Sequence, residues 1–204
     1  GLYTAALANP PSSYPAIALW CHPALTDFNN LQATPDGKAL VHLMCLVNGP
    51  YNSSVTDESD VGNTGFDAAF QTALRNGMRV SPTADQDNHN ATWGASTQSR
   101  TGVLAATKTK AGILGALGTR RNYATQDHNA RVDFSADGHA MGEAFASAAG
   151  IRIAASVTDP DSGEAATLIE LFRGVTGTTT ATRVAWNSGS PDFQWRERDA
   201  FSPG

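Results

Sequence analysis

The chain has 204 residues, 41% of them apolar and only 16% charged, with 10 Pro and 19 Gly; this suits one medium domain, or a partial domain with a small companion, and excludes a disordered tail. Nineteen acidic against 14 basic residues leave a formal charge of −5, and only Lys38, Lys108 and Lys110 are lysines, so nothing recommends nucleic acid or an anionic membrane surface as a partner. No apolar run approaches the roughly 20 residues that a membrane-spanning helix needs, and no span is expected.

The opening Gly1-Leu2-Tyr3 carries no initiator Met, charged leader or small-residue cleavage pattern, which reads as a processed chain or a piece of a longer one. Residues 16–20 form a short apolar run between Pro15 and Pro23, the pattern of a strand buried on both faces, and run into Cys21-His22-Pro23. A second apolar run, 39–47, stops at the turn formers Asn48-Gly49-Pro50, and residues 48–65 read as a long functional loop. Cys21 and Cys45 lie in these two runs without C-x-x-C spacing; they read as buried free thiols, with a bridge in an oxidising compartment as the alternative.

Phe66, Ala69, Phe70, Ala73 and Leu74 fall on one face of a helix that stops at Asn76-Gly77. Residues 78–84 read as a strand interrupted by Pro82, followed by the polar stretch Asp85-Gln86-Asp87-Asn88-His89-Asn90. A strand at 101–105 and a helix over 111–118 continue the alternation, which predicts a βα-type sheet or barrel. After about residue 128 period-2 stretches take over, at 131–134, 151–157, 167–173 and 182–186, with Gly, Asp, Pro and Thr-rich turns between them. That pattern predicts a small antiparallel β-sandwich, with the domain boundary near Asp127.

Strand ends are where βα folds carry chemistry. His22 follows one predicted strand and Asp87-x-His89 follows another. Neutral imidazole with carboxylate is a normal ligand set for Zn²⁺, Mn²⁺ or Fe²⁺, ions that activate water and stabilise charge on phosphoryl or carbonyl oxygens. His42, inside an apolar run, reads as a core histidine, and His128 and His139 as surface residues. Residues 159–164 read as a β-turn, and 85–96 fails as a calcium loop because Asn90 stands where Gly is needed and Ser96 where Glu is needed. Arg120-Arg121 is too short a basic cluster for nucleic-acid binding.

The stretch Ser81-Pro82-Thr83-Ala84-Asp85-Gln86-Asp87-Asn88-His89, then Trp93-Gly94, Arg100-Thr101-Gly102-Val103, residues 113–117, Arg120 to Thr125 and Met141-Gly142, resembles the back half of the PHP (polymerase and histidinol phosphatase) superfamily, in particular its CehA/McbA-type metallohydrolases. The resemblance covers roughly residues 16–142. It implies the C-terminal part of a distorted (β/α)7 barrel over 1–127; with the small antiparallel β-sandwich-like domain read from the period-2 pattern over 128–204, the expected fold class is α/β. It further implies a metal-dependent phosphoesterase with a metal-bound hydroxide as nucleophile, with His22, Asp87 and His89 as metal ligands. Asp87 and His89 are then the catalytic pair, and Arg100 the contact to a substrate phosphate.

That family's barrels open with an H-x-H strand end. This chain has none, and its first histidine is His22. The resemblance therefore implies that the missing N-terminal half of the barrel is a partner, that the full site for Zn, Mn or Fe draws on residues outside this chain, and that the segment alone is inactive on its small phosphoester substrate. The alternative is a non-catalytic secreted binding module, in which Trp186, Phe193 and Trp195 form a sugar-stacking or protein-docking platform. Few lysines, abundant Ala, Thr, Asn and Gly, and the appended β-domain suggest a periplasmic or secreted protein.

Overall fold

The structure is a computed structural model and describes residues 2–8, 16–25, 27–49, 64–148 and 150–197. The chain divides into two compact units, Gly1–His128 and Asn129–Gly204. Most of the predicted 48–65 loop lies outside the described residues.

The first unit is organised by β2 (Val41–Asn48), an eight-residue strand with no buried gap longer than two positions. β1 (Ala18–Trp20) and β4 (Ser81–Asp85) pair with β2 in parallel, and β3 (Thr64–Gly65) pairs antiparallel with its last two residues. Three helices flank these strands in sequence: α1 (Leu2–Ala8), α2 (Pro35–Leu40) and α3 (Asp67–Arg75). The predicted 39–47 strand is thus displaced at its start, because Thr34 caps α2 by accepting from Gly37 N at 3.1 Å and Pro35 suits a first helical turn. Trp20, Leu31, Val41, Met44, Ala69, Ala73, Met78 and Val80 form the core. Leu74, predicted on the buried helix face, is 39% exposed instead.

An unusual turn feeds this core. Phe28, Asn29, Asn30 and Leu31 all have left-handed backbone, with φ of 50, 60, 54 and 56°. Each such non-glycine residue costs about 1–2 kcal/mol. The turn persists because Leu31 is fully buried, Phe28 stacks on Trp20 at 5.2 Å between centroids, and Asn76 Nδ2 donates to Leu31 O at 3.0 Å.

The expected (β/α)7 barrel is not what forms. The fold is mostly β, 36% strand against 18% helix with four helices among the described residues, and the strands lie in several small sheets. The parallel sheet stops at β4 for a local reason: Pro82 stands in that strand and has no N–H for a ladder on a further neighbour. Side chains meet this edge instead. Asn122 Nδ2 donates to Pro82 O at 2.7 Å, Ser81 Oγ donates to Asn122 Oδ1 at 2.6 Å, and Thr101 Oγ1 both accepts from Ala84 N and donates to Ala84 O, at 3.0 and 3.1 Å. β5 (Arg100–Val103) then pairs antiparallel with β6 (Asn122–Thr125), and α4 (Lys110–Gly118) lies between them in sequence. A Cβ on Gly102 would stand 2.2 Å from the Tyr123 ring, so only glycine fits opposite that side chain.

Among the described residues, the strand pairs of the second unit are all antiparallel. β12 (Asp192–Glu197), β9 (Ile151–Thr158), β7 (Arg131–Ala136) and β8 (His139–Ala140) form one sheet in that order, and β10 (Leu168–Arg173) with β11 (Thr182–Ser188) form a two-stranded sheet. Arg173 Nη1 donates to Glu197 Oε2 at 2.8 Å, tying the hairpin to β12.

The left-handed turn yields a test at exposed Asn30. Replacing it by Val, whose branched Cβ tolerates positive φ worst, is expected to cost about 1–2 kcal/mol in urea unfolding. Asn30→Gly is expected to match or exceed the parent, and equal losses in both variants would rule the turn out.

Candidate metal centre

β2 and β4 end side by side, Asn48 opposite Asp85, while β1 stops opposite Met44; β1, β2 and β4 deliver, respectively, Cys21-His22, Asn48-Gly49 and the segment Gln86 to His89. The join is tight. Gly49 N donates to Asp85 O at 2.7 Å, and a Cβ on Gly49 would come within 2.8 Å of Gln86 Cα.

His22, Asp87 and His89, which the sequence places 67 residues apart at the extreme of His22 and His89, meet here. His22 Nε2 lies 3.2 Å from Asp87 Oδ2, and His89 Nε2 lies 3.2 Å from Asp87 Oδ1. The carboxylate is 14% exposed and the two imidazoles 55% and 60%, so an anion sits at the base of two solvent-facing rings. Both His22 (φ 48°) and Asp87 (φ 46°) hold left-handed backbone, a cost that non-glycine residues bear most often at functional sites. The three donor atoms are not gathered within 4.8 Å of one another. The imidazoles approach opposite oxygens of one carboxylate, and enclosing an ion would draw their exposed rings together.

Burial by itself would raise the Asp87 carboxyl. The hydrogen bond from Asn48, then the contacts with His89 and His22, outweigh it and hold the group below the usual aspartate range. Asn48 is the residue that sequence reasoning missed. It is 3% exposed, ends β2, and donates from Nδ2 to Asp87 Oδ2 at 2.9 Å. The signal was available: a polar residue closing a buried strand, as His22 and Asp87 do near the ends of theirs.

Arg100 is placed differently from the expectation. Its guanidinium donates to Thr97 O at 2.6 Å, Ser99 O at 2.8 Å and Gly94 O at 3.0 Å, which commits three of its five N–H groups to the loop after His89. The same loop is knitted by Gln86 Nε2 to Thr97 O at 3.1 Å, Gly94 N to Gln86 Oε1 at 2.9 Å, and Asn88 Nδ2 to both Thr92 Oγ1 and Ser96 Oγ. Gln86 and Asn88 flank Asp87, so this network sets the backbone from which the carboxylate projects.

The cysteines also differ from expectation. Cys45 is buried but Cys21 is exposed, and both thiols are free. Burial, followed by the nearby carboxylates Asp85 and Asp87, pushes the Cys21 thiol up. Cys45 is pushed up further, first by burial and then by Asp85, while the His22 backbone N–H is directed at its sulfur. His42 is half-buried; desolvation lowers its pKa against the opposing bond of Nδ1 with Leu40 O at 2.8 Å. His128 is exposed, and His139 is partly covered by Phe145, with Nδ1 2.9 Å from Glu143 Oε2. In the predicted turn, Asp159 Oδ1 accepts from Asp161 N at 2.8 Å.

As a donor set, two imidazoles and one ionised carboxylate suit a borderline divalent ion of the Zn, Mn or Fe class. Three such ligands leave coordination positions open for water and substrate.

The role of Asn48 can be checked without any metal. Asn48→Ala is expected to raise the Asp87 pKa, followed by carboxyl-carbon NMR, because the leading stabiliser of the anion is gone. It is also expected to destabilise the first unit by about 1–3 kcal/mol above pH 5, where Asp87 is ionised. The Asn48 contribution is present above the ordinary aspartate pKa and is lost as pH falls through the depressed one. An unmoved Asp87 titration would show that Asn48 does not hold it. No family model, curated protein or solved structure matches this chain, so the chemistry of the centre rests on its own side chains.

Proposed function

We propose that the first unit is a metal-dependent hydrolase centre acting on phosphoesters, with His22, Asp87 and His89 as ligands. One observation carries this reading: a largely buried, ionised carboxylate flanked at 3.2 Å on each oxygen by an exposed imidazole, with His22 and Asp87 on strained backbone at the ends of parallel strands. The resemblance of residues 16–142 to PHP-type metallohydrolases supports it independently of the barrel, which is not the fold here.

In this reading His22 and His89 present neutral ring nitrogens, and Asp87 supplies the negative charge. Asn48 fixes the Asp87 carboxylate through Oδ2, which leaves Oδ1 the better placed oxygen to accept a proton from an attacking water. A divalent ion bound there supplies Lewis acidity toward water and toward a phosphoryl oxygen. Arg100 acts on the site through the loop it clamps, and its two remaining N–H groups are its only means of meeting a phosphate.

The test is to load the chain with Zn²⁺, Mn²⁺ or Fe²⁺, dialyse, measure retained metal, and assay hydrolysis of a chromogenic phosphodiester. Asp87→Ala combined with His89→Ala is expected to reduce site-specific metal to background, and Asn48→Ala to weaken affinity about 10–100-fold. Retained metal unchanged in the double variant would overturn the reading.

A second reading concerns the other unit as a glycan-binding module. Trp186 is 62% exposed and Phe172 56%, and the Arg183 guanidinium lies 5.0 Å over the Trp186 ring while pairing with Glu170. Ring faces beside charged groups suit a sugar's apolar and hydroxylated sides. Phe193, 5% exposed, does not join that platform, and Trp195 is half-buried among Phe134, Ile151 and Ile153. Trp186→Ala is expected to abolish any binding seen on a glycan array. Binding that survives this substitution would rule out the platform.

A further inference from the structure

The two cysteines are not among the proposed ligands, yet Cys21 directly follows β1 and Cys45 lies within β2, three residues before its end. In the parallel pairing of β1 with β2, Leu19 stands opposite Leu43 and Trp20 opposite Met44, so the next residues along are Cys21 and Cys45. Residues opposite one another in a parallel pair project to the same side of the sheet. Adjacent strands run about 4.8 Å apart, inside the Cα separation of about 4.4–6.8 Å that a disulfide bridges. Cys45 and Cys21 lie near enough to act on one another electrostatically.

Accessibility and packing are complementary. Cys21 is exposed and open to a soluble oxidant, whereas Cys45 is fully buried and reachable only from a neighbour. The contacts of the Cys45 thiol with Val47 O at 3.4 Å and Asn48 Oδ1 at 3.8 Å are long, so turning it toward Cys21 forfeits little there and gives up its contact with the Asp85 side chain.

We propose that Cys21 and Cys45 are an oxidisable pair that closes to an intrachain disulfide, joining the end of β1 to the middle of β2 directly before His22. Cys21, after losing its proton to solvent, attacks a small-molecule disulfide such as oxidised glutathione and releases one small thiol. Cys45, its proton likewise lost, attacks the Cys21 sulfur of the mixed disulfide and expels the second small thiol. Two protein thiols are oxidised to one S–S bond, and one small-molecule disulfide is reduced to two thiols.

The full chain would be equilibrated across glutathione redox buffers with a chelator present, alkylated, and mapped by mass spectrometry. The expected product has lost two hydrogens, carries no glutathione, and yields one cross-linked peptide containing Cys21 and Cys45, with a higher urea midpoint than the reduced chain. Cys45→Ala, which keeps the exposed thiol, is expected to accumulate glutathione on Cys21 instead. A stable Cys21–glutathione adduct in the parent chain, a disulfide between two chains, or two thiols still reduced across the range would each overturn the proposal. The assay contains no metal, so its failure and the failure of the metal reading are separate results.

Discussion

Everything in the first unit hangs on β2 being paired along both edges. Its run Val41 to Val47 is apolar enough to lie between layers, and a strand so placed must satisfy its N–H and C=O groups on each side. β1 and β3 supply partners along one edge and β4 along the other. Trp20, Met44, Val41 and Val80 are carried into one core by this pairing, at about 1.5–3 kcal/mol for each large side chain removed from water. The same pairing sets the end of β2 beside that of β4, with β1 stopping opposite Met44, and the polar residues that follow or close the three strands converge.

Convergence creates an electrostatic problem that the site solves with its own residues. Placing the Asp87 carboxylate at 14% exposure disfavours its charge, and the neutral amide of Asn48 and two imidazoles compensate. Asn48 is itself buried and anchored in β2, so it makes the least mobile of these contacts. The histidines are the adaptable ones, each more than half exposed. A fixed anion below two exposed rings is the arrangement on which the proposed metal reading rests, and the loop knit by Gln86, Asn88 and Arg100 keeps the anion where it is.

Where the parallel sheet ends is decided as locally as where it begins. Pro82 removes one ladder donor from β4, and Asn122, Ser81 and Thr101 cover the edge with side-chain hydrogen bonds. An edge satisfied in this way offers nothing for a fourth parallel strand. β5 consequently pairs with β6 although the sequence alternates strand and helix through that region.

Local pattern by itself determined a good deal: the apolar strands near 16–20 and 78–84, the helices at Asp67–Arg75 and Lys110–Gly118 with their stops, and the change to period-2 texture after residue 128. It also marked His22, Asp87 and His89, because polar residues directly after buried strands are conspicuous in one dimension. What it could not determine was partnership. Whether a strand pairs in parallel or antiparallel depends on edges contributed from elsewhere, which is why the α/β barrel reading failed at Pro82 and Asn122. Asn48 looked like a turn residue until β4 came alongside to bring Asp87 within 2.9 Å, and nothing in the sequence showed that the loop would fold back onto the Arg100 guanidinium. Propensity and hydrophobic period are properties of neighbours in sequence, whereas hydrogen-bond partners, burial of a charge and the register of Cys21 against Cys45 exist only once distant segments share an edge.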